Sequence, residues 1–399
     1  MVDAITAKKT TGKERSVRIN LRDYGLLGAL AVIILLFQVL THGRLLSGGN
    51  PNNLIMQNAY VVVLALGMLM VIIAGHIDLS VGSLVAMIGA VIGISLSDWG
   101  LPVWLAIVVA LALGALVGAW QGYWVAFVGV PAFIVTLAGM LMFRGFAIVF
   151  LTGGTIGGLP SSFVSIGARW LPHWMGQMGD LDVLTLVVGL LASLGYVASQ
   201  VQARLALRRR NIRREPMALF VVRAVVVVAA MLYFAYLLAA YNGTPYVLII
   251  LAVLVLVYSF VLNRSVFGRH IYAMGGNRFA AVMSGIKTKW VDFFIFVNMG
   301  VLTAVAAIIT TARAGSAVSS AGNMYELDAI AAVFIGGAAV QGGVGKVQGA
   351  VLGAFVMGTL NQGLSIMGVD AAWQNVIKGL VLLGAVAFDL INRRRAGRR

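Results

Sequence analysis

FGRHIYAMGGNRFAAVMSGIK, residues 267–287, is the most polar stretch in the C-terminal half of an otherwise apolar chain. Asn277 is a favourable helix N-cap because its side-chain oxygen can accept a backbone N–H of the first turn. Gly285 can adopt the left-handed conformation that ends a helix. The stretch therefore predicts a short helix of about two turns between two long hydrophobic segments. That helix is either a surface on which another protein docks or a solvated loop that joins two membrane helices.

The composition around this stretch is that of a membrane protein. The chain has 399 residues, of which 61% are hydrophobic and 11% are charged, and its mean hydropathy is +0.97. Soluble proteins carry about 25% charged residues. Apolar runs near the length of about 20 residues that crosses a bilayer recur along the whole chain. These runs do not alternate as the strands of a β-barrel would, so the sequence predicts an all-α polytopic membrane protein.

We expect about twelve hydrophobic spans, ten of them forming a core and two of them additional. They cover residues 24–40, 54–74, 79–97, 103–121, 132–151, 182–199, 217–240, 245–263, 290–311, 326–343, 348–367 and 372–391.

Positive charge is concentrated beside these spans. The net charge is +16, and four clusters at residues 1–22, 202–214, 264–289 and 393–399 hold most of the 29 Lys and Arg residues. Such clusters mark cytoplasmic segments, and their position beside apolar spans argues against a nucleic-acid partner. The pattern predicts that both termini are cytoplasmic.

The charge pattern and spans predict a domain order. A basic cytoplasmic N-terminus (1–22) and tail (392–399) flank a transmembrane domain at 23–391. That domain holds a first repeat at about 54–151, extra spans with a basic loop at about 182–240, a polar cytoplasmic region at 264–289, and a second repeat at about 290–391.

Weak internal similarity supports the two repeats. In each half an Asp opens a helix of small residues, a Gln-Gly pair follows, and a Gly-Val pair comes later. The corresponding positions are Asp78 and Asp328, Gln121-Gly122 and Gln362-Gly363, and Gly129-Val130 and Gly368-Val369. The span count places Asp78 near the cytoplasmic face and Asp328 near the outer face. Opposite orientations of this kind indicate an inverted-topology repeat, with substrate passing between the repeats.

Motifs for catalysis are missing from the sequence. The segment Gly342–Val347 is glycine-rich but lacks the hydroxyl that follows Lys in a phosphate-binding loop, so we interpret it as a tight cytoplasmic turn. The chain has no cysteine and shows no metal-binding or catalytic pattern. We expect a protein that is not an enzyme and that takes its energy from an ion gradient or from a separate subunit.

Five charged residues lie at the ends of apolar spans or inside them. Asp78, Glu326 and Asp328 fall at span ends, where a carboxylate can stabilise a helix N-terminus or contact a substrate. Arg144 and Lys378 fall inside apolar spans, where a charge usually faces a cavity or a partner. We expect Arg144 to line a pathway, and Lys378 to snorkel or to pair with a carboxylate.

Several longer motifs carry a family resemblance, which extends from about residue 45 to residue 394. They are IDLSVGS (77–83), VPAFIVTLAGMLMFRG (130–145), FLTGGT (150–155), GRHIYAMGGNRFAAVMSGI (268–286), SAGNMYELDAIAAVFIGG (320–337) and GGVGKVQGAVLGAF (342–355). The chain resembles the permease subunits of bacterial ABC-type sugar importers of the ribose, xylose, arabinose and galactose class. The extra spans resemble those of the longer xylose and multiple-sugar permeases.

The resemblance implies an ATP-driven importer of the bacterial inner membrane that moves a monosaccharide, such as the pentose xylose or a related aldose, into the cytoplasm. It implies three partners in the bilayer and beside it: a periplasmic sugar-binding protein, a second copy of the permease, and a cytoplasmic sugar ABC ATPase. This chain would bind no cofactor, since ATP and magnesium would be held by the ATPase. An ion-driven secondary sugar transporter is the alternative, and a membrane scaffold without transport activity is a third class.

The resemblance also implies site residues. The ATPase-coupling residues are Gly275, Gly276, Asn277, Arg278, Phe279, Ala280, Ala281, Val282, Met283, Ser284 and Gly285. The candidates for the translocation pathway come instead from the fifth span and the two Asp-led segments, and they are Asp78, Ser80, Phe133, Thr136, Arg144, Glu326 and Asp328.

Overall fold

A computed structural model describes residues 21–152, 154–209 and 216–397. Residues 1–20 of the predicted N-terminal cluster, residues 210–215 of the Arg-rich loop, and the last two residues of the tail lie outside this range. The described part of the chain is mostly α-helical. Its helices are α1 Leu21–Leu40, α2 Asn50–Ile73, α3 Val81–Ser97, α4 Val103–Tyr123, α5 Ala132–Phe150, α6 Ser161–Ala168, α7 Val183–Arg209, α8 Met217–Ala239, α9 Tyr246–Arg264, α10 Val266–Gly276, α11 Arg278–Met283, α12 Thr288–Ala314, α13 Tyr325–Ile335, α14 Val347–Ile366 and α15 Ala371–Gly397.

Strands are confined to short pairs in loops. β1 (Thr155–Gly157) pairs antiparallel with β4 (Ser316–Val318), with Thr155 opposite Val318. β2 (Gln177–Met178) pairs with β3 (Leu181–Asp182). A π-helical turn, Trp124–Val128, extends α4.

The helices have the length and the apolar composition that the sequence predicts for a membrane protein. Among the described residues, 8 helices are long and apolar enough to cross a membrane, and three shorter apolar helices cover Gly25–Leu40, Val81–Ser97 and Ala371–Ala387. Together these eight and three helices account for eleven of the twelve expected spans. The prediction of an all-α polytopic membrane protein is therefore confirmed. The number of complete crossings and the side of each terminus stay predictions.

The prediction of a single spanning helix at 326–343 is wrong. α13 has 11 residues, which is about 16 Å of helix and half of what a bilayer needs. Glycine explains the early end, since Gly337, Gly342 and Gly343 all have positive φ, a conformation that breaks a helix and that glycine adopts without steric cost. The remainder of the expected span is an irregular segment that leads to α14.

α2 is the central helix of the molecule. Of its most apolar window, 94% is buried, and it packs against α12, α14, α13 and α9. A helix that is apolar on every face is expected at such a position. The helices α7 and α8, in contrast, pack mainly against each other.

Glycine spacing sets the closest helix contacts. A Cβ atom on Gly114 or Gly118 of α4 would lie less than 3.0 Å from the carbonyl oxygens of Gly300 and Phe296 in α12. Small residues four apart let two helix backbones approach in this way. α4 and α12 therefore pack with their backbones in direct contact.

Candidate functional site

The predicted capped helix is present as α11. Asn277 Oδ1 accepts the backbone N–H of Ala280 at 2.9 Å, and Gly285 follows the last turn with φ +82. The backbone N–H of Ile286 donates to the Ala281 carbonyl at 3.1 Å. Both ends of this short helix are therefore closed by the residues that the sequence singled out.

The outer face of α11 is apolar and exposed. Phe279 is 74% exposed, Met283 is 67% exposed and Val282 is 45% exposed, whereas Ala281 is buried at 4%. The helix thus rests on the protein through one small residue and presents its three largest apolar side chains outward.

The end of α10, just before α11, packs directly against the end of α2. A Cβ on Gly275 would lie less than 3.0 Å from both the Ile73 carbonyl oxygen and the Gly343 nitrogen. The Gly343 N–H donates to that same carbonyl at 2.8 Å. About one turn earlier in α10, the Tyr272 hydroxyl donates to the Gly345 carbonyl at 2.7 Å. The end of α10, the end of α2 and the turn at 342–345 therefore form one close contact.

Asp292 on α12 holds the start of α11. Its carboxylate accepts a hydrogen bond from Arg278 Nη2 and lies 3.0 Å, through Oδ1, from Nε2 of His76. Asp292 is 0% exposed. The role of Asp292 could not be predicted from the sequence, because an Asp in the second turn of an apolar helix carries no local signal of its distant partners.

A cavity of about 430 Å³ opens beside this contact. Its walls come from the loop after α2, the turn between α4 and α5, and Arg278. Phe133, a predicted pathway residue, lies in its lining and is 56% exposed. The lining is Gly75, His76, Ile77, Val125, Gly129, Val130, Pro131, Ala132, Phe133 and Arg278.

Asp78 organises a polar cluster just before α3. Its Oδ1 accepts the backbone N–H of Ser80 at 2.8 Å and the Ser80 hydroxyl at 2.7 Å. Gln121 donates to that hydroxyl oxygen at 2.7 Å, and the Thr136 hydroxyl donates weakly to the Ile77 carbonyl at 3.4 Å. Asp78 thus fixes the turn that enters α3, although the N-cap residue of that helix is Ser80.

Asp328 makes a second polar cluster: it lies in the first turn of α13, as expected, but its side chain does not cap that helix. Its Oδ2 accepts the Tyr60 hydroxyl at 2.5 Å, the Asn361 amide at 3.2 Å and Lys378 Nζ at 3.2 Å. The side chain points across to α2, α14 and α15 instead of back to the start of α13. Lys378 pairs with a carboxylate, one of the two outcomes expected for it.

The two Asp-led segments meet at a pair of glycines. A Cβ on Gly82 would lie less than 3.0 Å from the Gly322 carbonyl oxygen and from Glu326 Oε2. Arg144 Nη1 donates to the carbonyls of Ser319 and Ala321, at 2.6 and 2.8 Å, in the same approach to α13. The structure therefore brings Arg144, Glu326 and the start of α3 together.

The predicted pathway residues accordingly fall into three groups. Asp78, Ser80 and Thr136 surround the start of α3, Arg144 and Glu326 lie where α3 meets the approach to α13, and Asp328 lies with Lys378. Phe133 is separate from these polar groups and faces the cavity.

Family comparison identifies the chain. The family model described as "Branched-chain amino acid transport system / permease component" matches residues 50–386. The chain belongs to this permease family. It is a multi-pass protein of the bacterial inner membrane and a transport component, not an enzyme.

Individual relatives with high similarity to this chain are permeases named for sugars. The chain is 40% identical over 378 residues to the xylose transport system permease protein XylH of Escherichia coli strain K12, covering 95% of this chain and 94% of that one. It is 40% identical to the XylH protein of Haemophilus influenzae, covering 94% and 98%, and 33% identical to the ribose import permease protein RbsC of the same organism, covering 90% and 91%. No solved structure matches the chain. The resemblance to sugar-importer permeases is confirmed.

Proposed function

We propose that this chain is the transmembrane permease subunit of an ATP-driven importer that carries a monosaccharide, with a pentose such as xylose as the first candidate. The observation that carries the proposal is the likeness at 40% identity, over nearly the full length, to permeases named for xylose transport. The family description names branched-chain amino acids. The sugar permeases are the more informative guide because they match individual residues along the whole chain.

The coupling segment Gly275–Gly285 is proposed as the docking site for a cytoplasmic ATPase. An apolar helix face that projects from a rigid base suits insertion into a groove of another protein. Phe279, Val282 and Met283 supply that face, and Gly275 anchors its base against α2. ATP and magnesium would then be bound by the ATPase. The positive charges of the 264–289 cluster support a cytoplasmic position for this segment.

A periplasmic sugar-binding protein and a second copy of the permease complete the proposed assembly. The inverted repeat is part of this proposal: α3 and α13 are short helices whose starts converge at Gly82 and Gly322. Transporters of this design bind substrate where broken helices meet. Asp78, Ser80, Thr136, Arg144, Glu326 and Asp328 are therefore the pathway residues that we propose, with Phe133 at the cytoplasmic opening.

An ion-driven sugar transporter is the second candidate. The buried pair of Asp328 and Lys378 favours it, because ionisable residues inside a membrane often serve as ion or proton relays. The exposed coupling helix argues against it, since an ion-coupled carrier needs no such docking face.

One experiment separates the two functions. The permease is reconstituted in vesicles with its ATPase, binding protein is added outside, and uptake of labelled xylose, ribose and leucine is measured. ATP is placed inside or omitted, and ionophores collapse all ion gradients. We expect xylose uptake only with ATP and with no effect of the ionophores. Uptake that survives ATP removal and stops with the ionophores would establish the ion-driven alternative, and uptake of leucine alone would overturn the sugar assignment.

A further inference from the structure

Asp292 connects two parts of the molecule that are far apart in sequence. Arg278 precedes it by 14 positions and begins the coupling helix α11. His76 precedes it by 216 positions and lies in the loop between α2 and α3. Asp292 itself belongs to α12, which crosses the core. Three separate elements are therefore held by one carboxylate.

Each oxygen of this carboxylate has its own partner. Oδ1 lies 3.0 Å from His76 Nε2, and Oδ2 accepts the hydrogen bond from Arg278. The Asp292 side chain is 1% exposed, whereas that of Arg278 is 47% exposed. A charge without access to water depends on its partners, while Arg278 can move outward into water. The contact is thus asymmetric, with a fixed acceptor and a movable donor.

His76 is fixed from two sides. Its ring centroid lies 5.9 Å from that of Phe296, one helical turn after Asp292 on the same face of α12. The loop that continues from His76 is tied to α5 through Ile77 and to α4 through Ser80. Any displacement of His76 is therefore transmitted to the turn that Asp78 organises at the start of α3.

We propose that Asp292 is a positioning residue that makes α11 and the loop of residues 76–80 move together. If a partner pulled α11 away without the loop, the buried carboxylate would lose a charged donor and retain an incomplete set of hydrogen bonds, which is unfavourable. Movement of both elements keeps the set complete. This inference rests on the proposed function, in which the ATPase docks on α11 and the loop borders the substrate pathway.

The test measures coupling and not only activity. The reconstituted importer is prepared with wild-type permease and with Asp292→Asn, Asp292→Glu, Arg278→Gln, His76→Gln and the double variant Arg278→Gln/His76→Gln. Lys289→Gln is the control, since it removes an exposed charge from the first turn of the same helix. Three quantities are recorded: ATPase retained on the purified permease, ATP hydrolysed, and sugar transported per ATP.

We expect Asp292→Asn to retain the ATPase and to transport about tenfold less sugar per ATP, with partial recovery in Asp292→Glu. Arg278→Gln and His76→Gln should each lower the same ratio, and the double variant should be no worse than the more affected single variant, because contacting groups act non-additively. Lys289→Gln should match the wild type.

A normal ratio in a folded, ATPase-bound Asp292→Asn protein would overturn the inference. Single effects that multiply in the double variant would overturn it as well, and this comparison decides the question if Asp292→Asn does not fold. Absence of ATP-dependent uptake in the wild-type system would instead reject the proposed function, so the two failures are distinguishable.

Discussion

Nζ of Lys378 lies 3.2 Å from Oδ2 of Asp328, which joins α15 to the first turn of α13 inside the protein. The side chain of Asp328 is 1% exposed and that of Lys378 is 16% exposed. Tyr60 and Asn361 donate to the same carboxylate oxygen. This cluster therefore holds α13 in place, and α13 is too short to span the bilayer by itself.

Removing one member of this pair should destabilise the protein strongly. Lys378→Met leaves a buried carboxylate without its cation, a change that costs about 3–5 kcal/mol. The double variant Lys378→Met/Asp328→Asn should recover much of that loss because no charge remains unpaired. Thermal unfolding of the detergent-purified protein measures both, with Lys289→Met as an exposed control. A single variant as stable as the wild type would contradict the account.

Two adjacent glycines offer a matched test of the coupling segment. A Cβ on Gly275 would overlap the backbone of Ile73 and of Gly343, whereas a Cβ on Gly276 would meet nothing within 4 Å. We expect Gly275→Ala to displace the segment and to lower ATP-dependent uptake at least tenfold at equal membrane levels. Gly276→Ala should transport within about twofold of the wild type, since it introduces no overlap. Equal uptake by the two variants would show that the close contact is dispensable.

Arg144 and Arg223 offer a second matched pair. Arg144 bonds two backbone carbonyls on the approach to α13, and its loss would leave those carbonyls without a charged donor, at about 1.5–3 kcal/mol for each bond. Arg223 donates to Gln200 in the peripheral helix pair. We expect Arg144→Ala to impair transport or assembly more than Arg223→Ala. Uptake and membrane levels measured side by side test this, and equal transport by both variants would refute it.

A pH-dependent contribution to stability should come from Asp182, which precedes α7. Burial raises the pKa of this carboxyl, but hydrogen bonds from Thr185 and His173 outweigh burial and leave the pKa below its usual value. A carboxyl with a lowered pKa stabilises the folded state above its unfolded pKa of about 3.9 and loses that contribution as pH falls through the folded value.

The matched comparison uses Asp182→Asn and the exposed Asp180→Asn. At neutral pH only Asp182→Asn should lower the unfolding temperature. The difference between wild type and Asp182→Asn should shrink as the pH falls below about 4, because the unfolded chain binds a proton there and the folded carboxyl does so only below its lowered pKa. A difference that stays constant down to pH 2.5 would contradict the assignment.

Most of the helix positions and the local shape of the coupling segment could be predicted from the sequence. Apolar runs, the Asn277 cap and the Gly285 stop are local signals, and each lies within a few residues of the structure that it determines. The apolar residues of 326–343 predict one span that is too long, because hydropathy does not register the glycines that end α13. Hydropathy alone does not distinguish a half-length helix from a spanning one.

The contacts of the site could not be predicted from the sequence. The role of Asp292 depends on His76 and Arg278, which contact it only after the chain has folded. Lys378 could be assigned a carboxylate partner in general, but sequence spacing did not select Asp328 from the other acids. Contacts between distant helices depend on packing, which is absent from any short stretch of sequence.

The exposed face of α11 provides the most direct test of the account. Phe279 and Met283 are each more than half exposed, and their burial in a partner would contribute about 1.5–3 kcal/mol apiece. The decisive measurement is the amount of ATPase that copurifies with the permease carrying Phe279→Ser/Met283→Ser, compared with wild type and with Val266→Ser, an exposed residue of α10. We predict at least a tenfold loss of bound ATPase in the double variant, unchanged unfolding temperature, and no loss in Val266→Ser. Full retention of the ATPase by the folded double variant would contradict the assignment of α11 as the docking site.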